Sequence, residues 1–236
     1  MTTKGTLYLI PTTLGDTAET ADVIPVKITH IINQIDEYIV ENEKSARHYL
    51  KKLGIQKPLQ EIILHPLNQH TPVHEISGYL KSIAEGKNIG VISEAGCPGV
   101  ADPGAEVVAI AHDRNIKVVP LVGPSSILLS LMASGFNGQS FTFHGYLPKE
   151  RGERIKKLKE LEKAAGKKQT QLFIETPYRN THLLEDILSS CDGNTLLCIA
   201  CDITLSSEFI KTKRIAEWKK QLPDINKKPT IFLMYR

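Results

Sequence analysis

Glycine, proline and acid crowd one stretch of this chain, Gly90-Val-Ile-Ser-Glu-Ala-Gly-Cys-Pro-Gly-Val-Ala-Asp-Pro-Gly104. The apolar run from Asn88 to Ser93 predicts a strand, and a helical pattern begins at Ala105. Loops at the carboxyl end of a strand in an α/β sheet commonly receive small ligands. Here the glycines let backbone approach a bound molecule, and Pro98 and Pro103 stiffen the loop. The spacing is neither GxGxxG nor a P-loop, so it predicts neither a dinucleotide nor ATP. A long structural turn is the alternative that the local pattern leaves open.

Other reactive residues carry less. Cys198-Ile-Ala-Cys201 has CxxC spacing, but Thr195 to Asp202 reads as a buried strand, on which positions i and i+3 face opposite ways. That suits neither a shared metal nor a disulfide. His70 and His74 are four apart with Pro72 between them, which argues against one helix face presenting both. No metal site is expected.

With 41% hydrophobic and 23% charged residues, the 236-residue chain has an ordinary globular composition. A net charge of +3 is too small to indicate nucleic-acid binding by itself. No apolar stretch reaches the roughly 18 residues of a membrane span. Met1-Thr-Thr-Lys-Gly-Thr lacks the layout of a signal peptide. Four cysteines in a chain of this length fit a reducing cytoplasm.

The elements that must position the loop alternate along the chain. Strands are expected at 5–10, 36–40, 61–64, 88–93 and 116–122. Helices are expected at 26–35, 43–53, 72–84, 105–113 and 127–134. This alternation predicts an α/β fold with a largely parallel sheet, whose loops 11–16, 94–104 and 122–126 gather at one edge. Beyond Gly135, Phe141 to Pro148 is expected to be a strand and a loop, and strands are expected at 171–175, 195–202 and 230–235. Helices are expected over 149–168 and 180–189, and 210–222 reads as charged and at least partly helical. The second half could be its own α/β domain, giving domains 1–120 and 121–236.

Several loop motifs in fixed order resemble the tetrapyrrole methylase superfamily of S-adenosylmethionine-dependent methyltransferases. They are similar most of all to its branch that methylates a cytidine ribose 2′-hydroxyl in bacterial small-subunit ribosomal RNA. Gly5-Thr-Leu-Tyr-Leu-Ile-Pro-Thr-Thr-Leu-Gly-Asp16 is similar to the branch's G-x-L-Y-L-V-A-T-P-I-G-N-L-G-D. Val40-Glu-Asn-Glu-Lys-Ser-Ala-Arg47 resembles A-E-D-T-R-x-T. The opening segment resembles S-D-A-G-T-P-x-I-S-D-P-G, with Glu94 for Asp and Cys97 for Thr. Val119-Pro-Leu-Val-Gly-Pro-Ser-Ser126, Phe143-His-Gly-Tyr-Leu-Pro148 and Ile174-Glu-Thr-Pro-Tyr-Arg179 complete the series. The late motif R-E-L-T-K-x-x-E is Cys201-Asp-Ile-Thr-Leu-Ser-Ser-Glu208 here, without its Arg and Lys.

The resemblance implies two α/β domains with a deep cofactor cleft between them, in a homodimer. It implies that S-adenosylmethionine is held by Pro11, Gly96, Cys97, Pro98, Val100, Ala101 and Asp102, with Ser125, Ser126 and Glu175. It implies ribosomal RNA or the small ribosomal subunit as partner, and no membrane.

A 2′-hydroxyl acceptor benefits from a general base. Glu41, Glu43 and Glu94 are the first candidates, with Asp102 and Glu175 beside them. Each could equally be a surface acid or a helix cap. Arg151, Arg154, Tyr178 and Arg179 could bind the RNA, with Lys159 beside them and Tyr146 and Phe143 as further stacking candidates. A solvated, internally paired helix is the alternative for Lys149 to Lys168. Methylation of a tetrapyrrole precursor on carbon, and a non-catalytic cofactor- or RNA-binding module, are the competing functions.

Overall fold

The structure is a computed structural model that describes residues 4–68 and 70–236. The chain divides into two compact units, the first ending at Ser125 and the second running from Ser126 to Arg236.

The first unit alternates strand and helix. Its order is β1 (Thr6–Ile10), α1 (Thr20–Val23), α2 (Lys27–Ile32), β2 (Glu37–Val40), α3 (Glu43–Lys52), β3 (Ile63–Pro66), α4 (Val73–Tyr79), β4 (Ile89–Ile92), α5 (Ala105–Asp113) and β5 (Lys117–Pro120). The sheet order is β3-β2-β4-β1-β5, and each neighbouring pair is parallel. Successive side chains alternate between its two faces. Ile10, Tyr38, Val40 and Ile92 pack with Ile28, Ile32 and Leu50 of α2 and α3. Leu7, Ile39, Ile89 and Val91 pack with Ile76 of α4 and Val107 and Ala111 of α5. Both faces are therefore covered by helices, as a parallel sheet requires.

Two expected helices are shorter than the apolar spacing suggests. The helix expected over 26–35 ends at Ile32, because the buried Tyr38 hydroxyl donates to the Ile32 carbonyl at 2.9 Å and draws the chain into β2. The helix expected over 72–84 stops at Tyr79, and a 3₁₀ segment occupies Lys81–Glu85.

The second unit comprises α6 (Ser126–Ser134), β6 (Phe141–Tyr146), α7 (Arg151–Ala165), β7 (Thr170–Ile174), α8 (Asn180–Ser190), β8 (Leu196–Cys201), β9 (Phe209–Arg214), α9 (Ile215–Trp218) and β10 (Thr230–Tyr235). Its sheet is ordered β6-β7-β10-β8-β9. Only the β6–β7 pairing is parallel among these strands. Phe173, Leu197, Ile199 and Phe232 meet Leu158 and Leu161 of α7, Leu183 and Ile187 of α8, and Trp218. The segment 210–222, expected to be partly helical, is instead mostly the edge strand β9 followed by the single turn α9. Its exposed Lys211 and Arg214 suit an edge, where charge discourages pairing with another chain. Cys201 joins the core of Leu197 and Ile199, while Cys198, three residues earlier on β8, faces the other side of the sheet.

Candidate functional site

The parallel sheet of the first unit brings its strand-end loops together at the carboxyl edge, as expected from sequence. Strands β4, β1 and β5 are neighbours, so the loops after them are adjacent. Thr12 donates its backbone N–H to the Gly96 carbonyl at 2.8 Å, joining the loops after β1 and β4. The Cys97 thiol donates to the Pro124 carbonyl at 3.4 Å, joining the loops after β4 and β5. Gly123 closes the ring: a Cβ there would lie 2.2 Å from Pro11 Cβ, so only glycine permits this approach.

Helix α3 supports the loops from one side. Asn42 caps it, its side-chain oxygen accepting from the N–H groups of Lys44 and Ser45. That cap satisfies two of the donors a helix start leaves over. One face of α3 then meets the site. Ser45 donates its hydroxyl to Glu94 at 2.7 Å, and the Tyr49 hydroxyl donates to the Pro11 carbonyl at 2.6 Å. Lys52 donates its ammonium to the carbonyls of Asp16 and Ala18. The spacing Ser45, Tyr49, Lys52 is a helical stripe, a signal present in the sequence that pattern reading passed over. An open pocket of about 490 Å³, solvent at its mouth included, lies among Thr12, Ser45, His48, Tyr49 and Glu94. Beside it the Thr12 hydroxyl is buried with no hydrogen-bond partner among the described residues.

Carboxylates gather at the same edge. Asp102 is pushed up to about 6, first by burial and then by the charges of Glu41 and Glu94. Glu41 is itself raised by burial and by Glu94. Carboxylates that repel each other in this way separate into one that stays ionised and one that exchanges its proton near neutrality. Glu43 stands apart from the trio. It lies in the first turn of α3, exposed and 3.8 Å from Arg47. Its carboxylate complements the helix dipole, which accounts for it without chemistry.

Among the residues expected to hold a cofactor, Pro11, Gly96 and Pro98 are buried, while Val100 and Ala101 are exposed. Ala101 adopts a left-handed backbone, φ 63°, a conformation uncommon outside glycine. Burial raises the Cys97 thiol, which keeps it a neutral hydrogen-bond donor. Ser125 closes the first unit and Ser126 opens α6. In the second unit the buried Glu175 accepts from the Thr176 N–H at 2.6 Å and from Arg179 at 3.0 and 2.5 Å.

The residues expected to meet RNA separate into two kinds. Arg154 is buried and wholly engaged, so its place among them is corrected. It donates through Nε and Nη2 to Asp186 at 2.8 and 2.6 Å, and through Nη1 to the carbonyls of Pro148 and Lys149. Sequence could not show this, because its partner lies on α8. Arg151 donates to the other Asp186 oxygen at 2.8 Å yet stays 71% exposed. Burial raises the Asp186 carboxyl, but the bonds and charges of both arginines outweigh that and hold it below the usual carboxylate range. Tyr178 is exposed, on the short turn Pro177–Arg179.

The model of the family Tetrapyrrole (Corrin/Porphyrin) Methylases matches residues 6–218. The "Ribosomal RNA small subunit methyltransferase I" of Bacillus subtilis is 31% identical to this chain over 208 residues, 88% of this chain and 67% of that protein. The protein of that name from Xylella fastidiosa is 28% identical over 222 residues, 94% and 77%. Among solved structures, the methyltransferase CobJ covers 98% of this chain and 94% of its own at 18% identity, with a TM-score of 0.63. Cobalt precorrin-4 methyltransferase gives 17% identity and a TM-score of 0.62, with 98% and 94% covered. The two solved structures bear on the fold alone.

Proposed function

Because this chain belongs to the tetrapyrrole methylase family, we propose that it is an S-adenosylmethionine-dependent methyltransferase acting on a ribose 2′-hydroxyl of small-subunit ribosomal RNA. The observation that carries the reading is the ring of three strand-end loops with a carboxylate near neutrality on its rim.

The residues present fit the cofactor. The loops after β1, β4 and β5 present backbone and a neutral thiol, with exposed apolar side chains at Val100 and Val122. Such a lining suits an adenosyl group, which needs an apolar wall and a few polar partners. The buried Thr12 hydroxyl is a donor and acceptor still without a partner among the described residues. In this proposal Pro11, Gly96, Cys97, Pro98, Val100, Ala101, Asp102 and Ser125 hold the cofactor in the first unit.

When bound, S-adenosylmethionine supplies an electrophilic methyl group. The protein's part is to orient the acceptor and to take its proton. Asp102 is the base: a carboxylate at about 6 is ionised at neutral pH and still basic enough to accept a proton. The charges of Glu41 and Glu94 raise Asp102 and so favour its protonation as the hydroxyl gives up its hydrogen. Ser45 keeps Glu94 in place. Orientation contributes much of the acceleration of an in-line transfer, which is why the loops are tied to one another.

In the same reading the protein works in the cytoplasm as a homodimer on ribosomal RNA. Among the described residues no helix is long and apolar enough to cross a membrane. The test is transfer of labelled methyl to small ribosomal subunits from a strain lacking the gene, followed by mass mapping of the RNA. One new ribose methyl is expected. Labelling of a tetrapyrrole precursor instead, or of nothing, would overturn the proposal.

A further inference from the structure

Strands β6 and β7 of the second unit run parallel, so their carboxyl ends share one edge. Both ends carry a tyrosine into solvent. Tyr146 closes β6 at 59% exposed, and Tyr178 stands on the turn after β7 at 74% exposed. Exposed aromatic faces at one edge are available to stack on a planar ligand.

The backbone is built to present them. From the pair Phe143–Leu172 to the pair Tyr146–Ile174, β6 advances three residues while β7 advances two. This is a bulge, with Gly145 at φ 63° as its left-handed residue. Bulges redirect the side chains that follow them. The turn bearing Tyr178 is braced from below. Lys227 donates its N–H to the Pro177 carbonyl at 3.1 Å, and the buried Asn180 donates its side-chain amide to the Lys228 carbonyl at 2.7 Å.

Two guanidinium groups flank the tyrosines, and each is fixed on a buried carboxylate. Arg179 is held by Glu175, and Arg151 by Asp186, whose side chain is 4% exposed. The carboxylates lie inside, while the Arg151 side chain is largely exposed and that of Arg179 partly so. A cation positioned in this way loses little conformational freedom when it meets an anion. Unpaired nucleic acid is recognised by this combination: aromatic faces stack on bases and cations follow the phosphates.

We propose that this edge is a binding ledge for an unpaired stretch of RNA, with bases stacking on Tyr146 and Tyr178 and phosphates meeting Arg151 and Arg179. The inference rests on the proposed RNA acceptor and adds the form in which RNA is held. A duplex hides its base faces, so the ledge discriminates against it.

Fluorescence anisotropy on the full chain tests this, with a labelled unstructured oligoribonucleotide and the same strand annealed to its complement. The single strand is expected to bind at least about tenfold more tightly than the duplex. Tyr178→Ala and Tyr146→Ala each weaken single-strand binding by about fivefold or more, whereas Tyr178→Phe retains it. Arg151→Ala lowers the slope of log affinity against log salt by about 0.7, the share of one phosphate on a single strand. Calorimetric titration of S-adenosylmethionine into each variant reports whether the cofactor site is intact. Single-strand binding equal in both alanine variants and the wild type, or equal affinity for duplex, overturns the ledge. Methyl transfer to ribosomal subunits would survive that result, so failure of the ledge is distinguishable from failure of the enzyme reading.

Discussion

Cys97 and Pro124 are joined by a thiol-to-carbonyl hydrogen bond of 3.4 Å, and this contact ties the loop after β4 to the loop after β5. A threonine hydroxyl can make the same bond, since it too is a donor with a rotatable hydrogen. Cys97→Thr is therefore expected to keep the melting temperature and cofactor affinity close to wild type. Cys97→Ala removes the donor and costs about 1 kcal/mol, read by urea unfolding. It should also weaken S-adenosylmethionine binding measured by calorimetry. Burial raises this thiol, so its reaction with a disulfide reagent at pH 7 is slow and is slowed further by bound cofactor.

Asp102 gives a pH signature. Its folded value of about 6 lies above the 3.8 of an unperturbed aspartate. The folded state thus binds more protons between these values, and this group's contribution to stability falls as pH rises through 6. Asp102→Asn should stabilise the protein at pH 8 by about 1 kcal/mol, after discounting for solvent screening, and by almost nothing at pH 4. Thermal melts at the two pH values check this. The same substitution should lower kcat by about a hundredfold or more, and wild-type activity should show an acid limb near pH 6. Full activity in the asparagine variant would exclude Asp102 as the base.

Arg151 and Arg154 share Asp186 but should answer differently to alanine. Arg154→Ala strips a buried carboxylate of its main partner and costs about 3 kcal/mol. Arg151→Ala leaves Arg154 in place and should hardly move the melting temperature. Because the Asp186 carboxyl is held low, its stabilisation is present above the unfolded carboxylate value and is lost as pH falls through the lower folded value. The Arg154→Ala deficit should accordingly shrink in acid, as guanidinium chloride titrations at pH 7 and pH 3 would show.

Gly123→Ala places a methyl against the Pro11 ring. The two loops must part, at a cost of about 1–3 kcal/mol typical of overpacking. Cofactor affinity should fall with it. A variant that melts and binds as the wild type does would show that the loops are free to separate.

Much of this was legible in the chain. Gly-Pro punctuation located the loops after β1, β4 and β5, and strand–helix alternation implied that they share an edge. What escaped notice depends on partners distant in sequence. The Glu41, Glu94 and Asp102 carboxylates were each candidates, but their mutual repulsion arises only when β2 and β4 lie side by side. Arg154 reads as a surface cation until α8 brings Asp186 to it. Strand β9 was obscured because Phe209-Ile-Lys-Thr-Lys-Arg214 lies at an edge, where lysine is favoured and no continuous apolar run is needed.

Strand β4 pairs along its whole length with two neighbours at once: Ile89 faces Leu7 and Glu37, and Ile92 faces Ile10 and Val40. A slip of one residue would break both ladders and turn every side chain to the wrong face. Gly90, wedged between Ile10 and Tyr38, forbids even a methyl group. The strand is thus an inextensible mount, and Glu94 and Cys97 come just beyond its last doubly paired residue. The chemistry of the loop can therefore be retuned by substitution at Glu94 or Cys97 while its point of attachment stays put.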